Sequence, residues 1–247
     1  AKELGMLAFS SPFDLTAVDY LEQLDVPCYK IASFENIDHG LIAAVARTGK
    51  PVIISTGMAT QAELAEAVEV LQRNGCHDII LLKCTSDYPA RPIDANLNTI
   101  PHLAALFGCQ VGLSDHTAGI GVSVAAVALG ATVIEKHFVL DRSEGGIDAA
   151  FSMEPAEFSL LVSECRKAKD ALGKVHYGCT DKEIASRVHR RSLYIAKDMQ
   201  AGDIFTADNL RSVRPGLGLA PKYLPQFLGR KVKQDVAMGT PLSWELI

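Results

Sequence analysis

The chain is predicted to be an α/β protein built on a parallel sheet, with a small β-rich unit at its C-terminal end. Three observations carry that expectation. Short apolar runs alternate with helical segments at a short, regular period. The apolar runs are continuous rather than alternating, as strands covered on both faces are. After Gly173 the rhythm stops and the composition turns polar and glycine-containing.

Strands are predicted at Met6–Ser10, Cys28–Ser33, Val52–Thr56, Ile79–Cys84, Gln110–Ser114 and Thr132–Phe138. Helices are predicted at Leu15–Leu24, Leu41–Thr48, Gln61–Asn74, Leu97–Phe107, Gly119–Leu129 and Pro155–Leu172. Thr60-x-x-Glu63 ahead of an apolar run is a capping box and marks one helix start. Gly49, Gly75, Gly108, Gly130 and Gly173 each follow a helix, where C-terminal caps belong. A closed (β/α)8 barrel has eight such units over roughly 250 residues, and six are present. The repeat ends near Gly173 and the chain starts without Met. The expectation is therefore a TIM-type barrel over residues 1–173 lacking its first two βα units. The alternative is an open six-stranded doubly wound sheet, which has two edges to protect. Residues 174–189 read as a linker. Residues 190–247 read as a compact β-rich domain, with strands at Ser192–Ala196 and Lys231–Asp235 and a Pro/Gly-rich loop from Arg214 to Pro221.

At 247 residues, 48% hydrophobic and 21% charged, the chain can bury a large core. A net charge of −5 argues against a general nucleic-acid binder, which needs a basic face. No apolar run approaches the ~18–20 residues of a membrane span, and the first residues carry no signal-peptide pattern. Six cysteines without a C-x-x-C motif read as reduced thiols of a cytoplasmic protein. Cys84, at a strand end, is read as a small buried apolar residue rather than a nucleophile.

In a parallel barrel the C-terminal strand ends converge on one mouth, where the chemistry sits. His116 and His137 end adjacent predicted strands, one strand–helix repeat apart. Together they are candidate ligands for a metal with open coordination positions, able to polarise a carbonyl oxygen. Either one alone would read as a hydrogen-bonded rim histidine. All six strand ends carry Ser, Thr, Lys or His: Ser10-Ser11, Lys30 and Ser33, Ser55-Thr56, Lys83 through Ser86, Ser114 with His116, and Lys136-His137. Hydroxyls, backbone N–H groups and a lysine make a cradle for a phosphate or phosphoenol oxyanion. Lys30 shares a strand face with Cys28 and Ala32, and a lysine there needs an anionic partner. Lys136 neighbours His137, points to the opposite face and is read as structural. Asp148 follows Gly145-Gly146 and reads either as an acid–base or hydroxyl-binding group or as a turn aspartate. Ser152 and Glu154 read as the start of the last helix.

Tyr29-Lys-Ile-Ala-Ser33, Ser55-Thr-Gly-Met58, Cys84-Thr-Ser-x-Tyr-Pro89, Gly112-Leu-Ser-Asp-His-Thr117, Glu135-Lys-His-Phe138 and Arg214-Pro-Gly216 resemble, in order and from end to end, the sialic acid synthase family. The resemblance implies a TIM barrel followed by an antifreeze-like SAF domain. It implies condensation of phosphoenolpyruvate with an open-chain N-acetylated hexose to a nine-carbon 2-keto acid and phosphate. It places a divalent metal, manganese or magnesium, on His116 and His137. Ser11, Lys30, Ser33, Ser55, Ser86 and Ser114 match phosphoenolpyruvate contacts, and Tyr88 and Asp148 match sugar contacts. Arg214 matches an arginine inserted into a partner's barrel, which implies a domain-swapped homodimer. Two departures stand out. The family's N-terminal segment, with a catalytic glutamate and a further lysine, has no counterpart in this sequence, so the chain by itself is expected to be inactive or impaired, or a non-catalytic carbohydrate-binding fragment. Ser86 stands where many members have asparagine. Lys30-Ile-Ala-Ser-Phe-Glu35, Leu82-Lys-Cys-Thr85 and Ala150-Phe-Ser152 look more like the pseudaminic acid synthases of the family than the N-acetylneuraminate or legionaminate synthases. Their substrate is a 2,4-diacetamido-2,4,6-trideoxy hexose. Phe151 in place of polar loop groups suits such a sugar, because a pocket with unpaired polar groups would reject it.

Overall fold

The computed structural model describes residues 1–247 as two compact units, Ala1–Lys174 and Val175–Ile247. In the first, five parallel strands run in the order of the chain: β1 (Tyr29–Ile31), β2 (Val52–Ser55), β3 (Ile79–Cys84), β4 (Gln110–Asp115) and β5 (Val133–Lys136). The helices are α1 (Leu15–Gln23), α2 (His39–Ala46), α3 (Gln61–Arg73), α4 (Thr99–Phe107), α5 (Gly121–Ala128) and α6 (Pro155–Leu172).

Alternation along the strands sorts stability from chemistry. Tyr29, Ile31, Val52, Ile54, Ile79, Leu81, Val111 and Leu113 face outward and form one core with Leu41, Ile42, Leu64, Leu71 and Ile100 from the helices. The residues between them face inward, so the helices cover one side only and the doubly wound alternative does not apply. The inner side is the concave face around which the sheet curls. Lys30 on β1 meets Glu135 on β5 at 3.3 Å. In a flat sheet these outer strands would lie about 19 Å apart, four strand spacings. The ion pair is reached only because the sheet is strongly curled.

The parallel sheet has five strands where six were predicted. Met6–Ser10 is not a strand: the Lys30 N–H reaches Ser10 O at 3.4 Å, but no ladder continues from it, and Met6, Leu7 and Phe9 remain exposed. Thr60 caps α3 as its sequence predicts. Its hydroxyl accepts from Glu63 N–H at 3.3 Å while the Glu63 carboxylate accepts from Thr60 N–H at 2.7 Å. Thr60→Ala is expected to lower unfolding free energy by about 1 kcal/mol in urea titrations.

The second unit pairs β6 (Ser192–Ile195) with β7 (Leu210–Val213) antiparallel and adds a short helix α7 (Leu224–Phe227). Leu193, Ile195, Phe205, Leu210, Phe227 and Val232 form its own core. Lys231–Asp235, predicted as a strand, makes only isolated bridges. Lys231 pairs with Ile204 and Val236 with Met199, but Lys233 N–H turns away to Leu246 O at 3.0 Å and breaks the ladder. The stretch 174–189, predicted as a linker, contains two turns of 3-10 helix, Asp181–Glu183 and Ala185–His189.

Candidate active site

The inward-facing residues at the strand ends form one connected polar surface. Lys30 and Ser114 are buried, and both reach Glu135: the ammonium at 3.3 Å, the hydroxyl donating at 2.6 Å. Glu135 is thus the hinge of the cluster, and its side chain is about two-fifths exposed, 38%, so an incoming anion can compete for Lys30. Sequence reasoning gave it no role. Its signal was present, since it lies two residues before His137 on the same strand face, but its partner sits on the far side of the curled sheet.

Ser33 accepts the Gly57 N–H at 3.1 Å. Asn36, buried and also missed, donates to Ser55 O at 3.2 Å and Gly57 O at 3.3 Å, bracing the turn after β2. The Ser55 hydroxyl is fully buried and has no partner in the protein. Such an orphan donor needs an acceptor from elsewhere. Ser86 is half-buried with its Oγ 3.9 Å from Cys84 Sγ. Ser11 is half-buried, next to Ser10 whose carbonyl meets Lys30 N–H.

Beyond β4 and β5 the two histidine rings stand 5.2 Å apart, centroid to centroid. His116 Nδ1 lies 2.9 Å from Thr85 O, so it donates there and leaves Nε2 bare. His137 Nδ1 faces Asp148 Oδ2 at 3.5 Å. Burial pulls the His116 pKa down, but contacts with Cys84 and the Thr85 carbonyl outweigh it and the net shift is upward. For His137, burial and then the neighbouring His116 charge shift it downward. Burial pushes the Cys84 thiol up, yet hydrogen bonds and charge from His116, with Ser33 and Ser86, bring it to about 7. No group of three or more His, Cys, Asp or Glu side chains is gathered in metal-holding geometry. A cation here would take two imidazole nitrogens and complete its shell from water or substrate oxygens.

Tyr88 lies over this pair, its ring 4.2 Å from His116 and 5.9 Å from His137. Phe151 closes the same side, 5.0 Å from His137 and 5.9 Å from Tyr88. Asp148 and Phe151 come from the loop after β5. Its base is zipped: Val139 N–H donates to Met153 O and Met153 N–H to His137 O, each at 2.9 Å. Arg142 reaches Ser152 O at 3.0 Å and both carboxylate oxygens of Glu157. Its tip is open, with Ile147 fully exposed. Glu154 is the N-cap of α6, whereas Ser152 closes the loop, its hydroxyl donating to Asp148 O at 2.8 Å. The structure therefore gathers Lys30, Ser33, Ser55, Ser86, Tyr88, Ser114, His116, His137 and Asp148 on one surface. Arg214 is exposed and belongs to the second unit.

Residues 1–177 match the NeuB family and residues 190–247 match the SAF domain. The chain is 44% identical over 243 residues to a pseudaminic acid synthase of Campylobacter jejuni, covering 98% of this chain and 71% of that protein. It is 43% identical over 244 residues to a pseudaminic acid synthase of Helicobacter pylori, covering 98% and 72%. Among solved structures it resembles an N-acetylneuraminic acid (sialic acid) synthetase of Leptospira borgpetersenii in complex with citrate. That likeness has a TM-score of 0.70 and 36% identity over 75% of this chain and 65% of the other, just under two thirds of its length. On the extent of these matches, the chain belongs to the NeuB family and carries a SAF domain at its C-terminal end.

Proposed function

We propose that the protein condenses phosphoenolpyruvate with a 2,4-diacetamido-2,4,6-trideoxy hexose, giving pseudaminic acid and phosphate. The observation that carries this reading is the Lys30–Glu135–Ser114 chain beside the orphaned Ser55 hydroxyl, placed within one strand-end surface with a histidine pair under an aromatic face. Identity to two pseudaminic acid synthases supports the choice of sugar.

In this mechanism Lys30 exchanges Glu135 for the enolpyruvate anion, a swap of one carboxylate for another. Ser33, Ser55 and Ser114, with Ser11 and Ser86 at the rim, donate hydroxyl hydrogens to its carboxylate and phosphate oxygens. Tyr88 and Phe151 cover the sugar and exclude water from the side of its methyl group. Asp148 binds sugar hydroxyls and holds a proton beside the aldehyde oxygen. Manganese or magnesium on His116 and His137, when bound, would supply Lewis-acid polarisation of the aldehyde. The donor set fits: each histidine has an oxygen partner at Nδ1, leaving two Nε2 atoms. The enol carbon attacks the aldehyde carbon, water adds to the resulting oxocarbenium carbon, and phosphate departs by C–O cleavage. Arg214 acts from the SAF domain of a second copy in a domain-swapped homodimer, as the resemblance implies. No helix is long and apolar enough to cross a membrane, in keeping with a cytoplasmic enzyme.

The test is phosphate release from phosphoenolpyruvate with Mn2+ and each of three hexoses: the diacetamido trideoxy sugar, its legionaminate-type stereoisomer and N-acetylmannosamine. It is run on this chain and on a form extended at the N-terminus to its relatives' length. Release with the first sugar, reduced at least tenfold by Arg214→Ala with the dimer intact, is expected. No release from the extended form with any of the three sinks the reading.

A further inference from the structure

Directly behind the histidine pair, on the outer face of the sheet, lies a buried ion pair. Asp115 and Lys136 are Cα partners in the β4–β5 register, and their side chains meet at 2.9 Å with 1% and 2% exposure. The surrounding polar atoms are satisfied. Asp115 Oδ1 accepts from the Thr117 N–H at 2.9 Å and the Thr117 hydroxyl at 2.7 Å, and Oδ2 accepts from the Ser123 hydroxyl at 2.6 Å. Lys136 also donates to the Thr117 carbonyl. Ser123 belongs to α5, the helix that joins the two strands.

Stability alone does not account for this arrangement. A buried ion pair is often no more stabilising than well-packed apolar side chains of similar volume. One step back on the same outer face, Leu113 is paired with Ile134. What the ion pair adds is rejection of wrong alignments. Side chains alternate with period two, so a slip of one residue turns every inward group outward. Such a slip would turn Lys136 inward, set Glu135 or His137 against Asp115 on the outer face and leave that buried carboxylate without its ammonium, at a cost an apolar pair does not impose.

We infer that the Asp115–Lys136 ion pair is a register lock that sets the spacing of His116 and His137. Each charged residue immediately precedes one histidine. The imidazoles therefore emerge on the opposite, inner face from positions the ion pair has already aligned. Asp115 and Lys136 are positioning residues, acting through the histidines. The inference rests on the reading of His116 and His137 as metal ligands for its consequence, though not for its geometry.

Lys136→Met in the whole chain tests it, with Ser123→Ala as the comparison. Ser123 contacts the same carboxylate but from the helix, not across the strands. Nuclear Overhauser contacts between the His116 and His137 rings in metal-free protein read the geometry, and Mn2+ titration reads the consequence. In Lys136→Met the ring contacts should weaken and Mn2+ affinity fall about tenfold. In Ser123→Ala the melting temperature should drop while both readouts hold. Should Lys136→Met fail to fold, Lys136→Gln, which keeps a neutral donor, takes its place for the same readouts. Unchanged ring contacts in a folded Lys136 variant, or equal changes in Ser123→Ala, overturn the register lock. Altered ring contacts combined with no Mn2+ binding by the unsubstituted chain support the lock and overturn the metal reading instead.

Discussion

His116→Ala is expected to lower Mn2+ affinity by on the order of a hundredfold or more and to remove phosphate release. Losing a partner behind a metal ligand costs about 10- to 100-fold, and losing the ligand itself exceeds that. The His116 ring is buried, packed at a tilt beneath Tyr88 and held by Thr85 O, so its Nε2 is offered in one orientation. Alanine leaves His137 as the single imidazole. The fold should persist, because the outward core of the sheet does not use this ring. Calorimetric or paramagnetic Mn2+ titration, with circular dichroism as the fold control, decides the matter. Full metal affinity in a folded His116→Ala protein would show that the ion, if bound, sits elsewhere.

Gly57→Ala should be nearly as damaging, by a steric route. A Cβ at Gly57 would meet the Ser86 hydroxyl and come within 2.6 Å of Ser33 Oγ and 3.0 Å of Ser33 Cβ. The backbone has little room to move, since its N–H is held by Ser33 and its carbonyl by Asn36. Overpacking of this kind costs about 1–3 kcal/mol. The larger effect is on the two serines, which must shift, and a misplacement near 1 Å can cost about a hundredfold in turnover efficiency. The expected signature is a raised KM for phosphoenolpyruvate with a modest fall in melting temperature. A Gly57→Ala protein with unchanged KM would remove Ser33 and Ser86 from the phosphoenolpyruvate site.

The parallel sheet was legible because its strands carry continuous apolar runs such as Ile79-Ile-Leu-Leu82, and the capping box at Thr60 marks a helix start by local chemistry alone. Met6–Ser10 has the same apolar look, but strand formation depends on a neighbour's backbone, which no local pattern reports. Leu210–Val213 escaped notice for the converse reason: two apolar residues around Arg211-Ser212 are too short a signal. His116, His137 and the strand-end serines were picked out as candidates because strand ends are where barrels place chemistry. Glu135 and Asn36 were missed because their partners lie far off in sequence. Glu135 joins β5 to β1 through the curl of the sheet, and Asn36 braces carbonyls of the next strand.

The loop that carries Asp148 and Phe151 is fastened at its base by Arg142 and by the Val139–Met153 pairing, while Ile147 at its tip is fully exposed. It behaves as a cassette. Grafting residues 145–147 from a relative with another sugar preference, with Asp148 and Phe151 kept against His137, should alter substrate choice while the anion cradle and the histidine pair stay as they are. An unchanged sugar preference in the grafted chain would remove this tip from the sugar site.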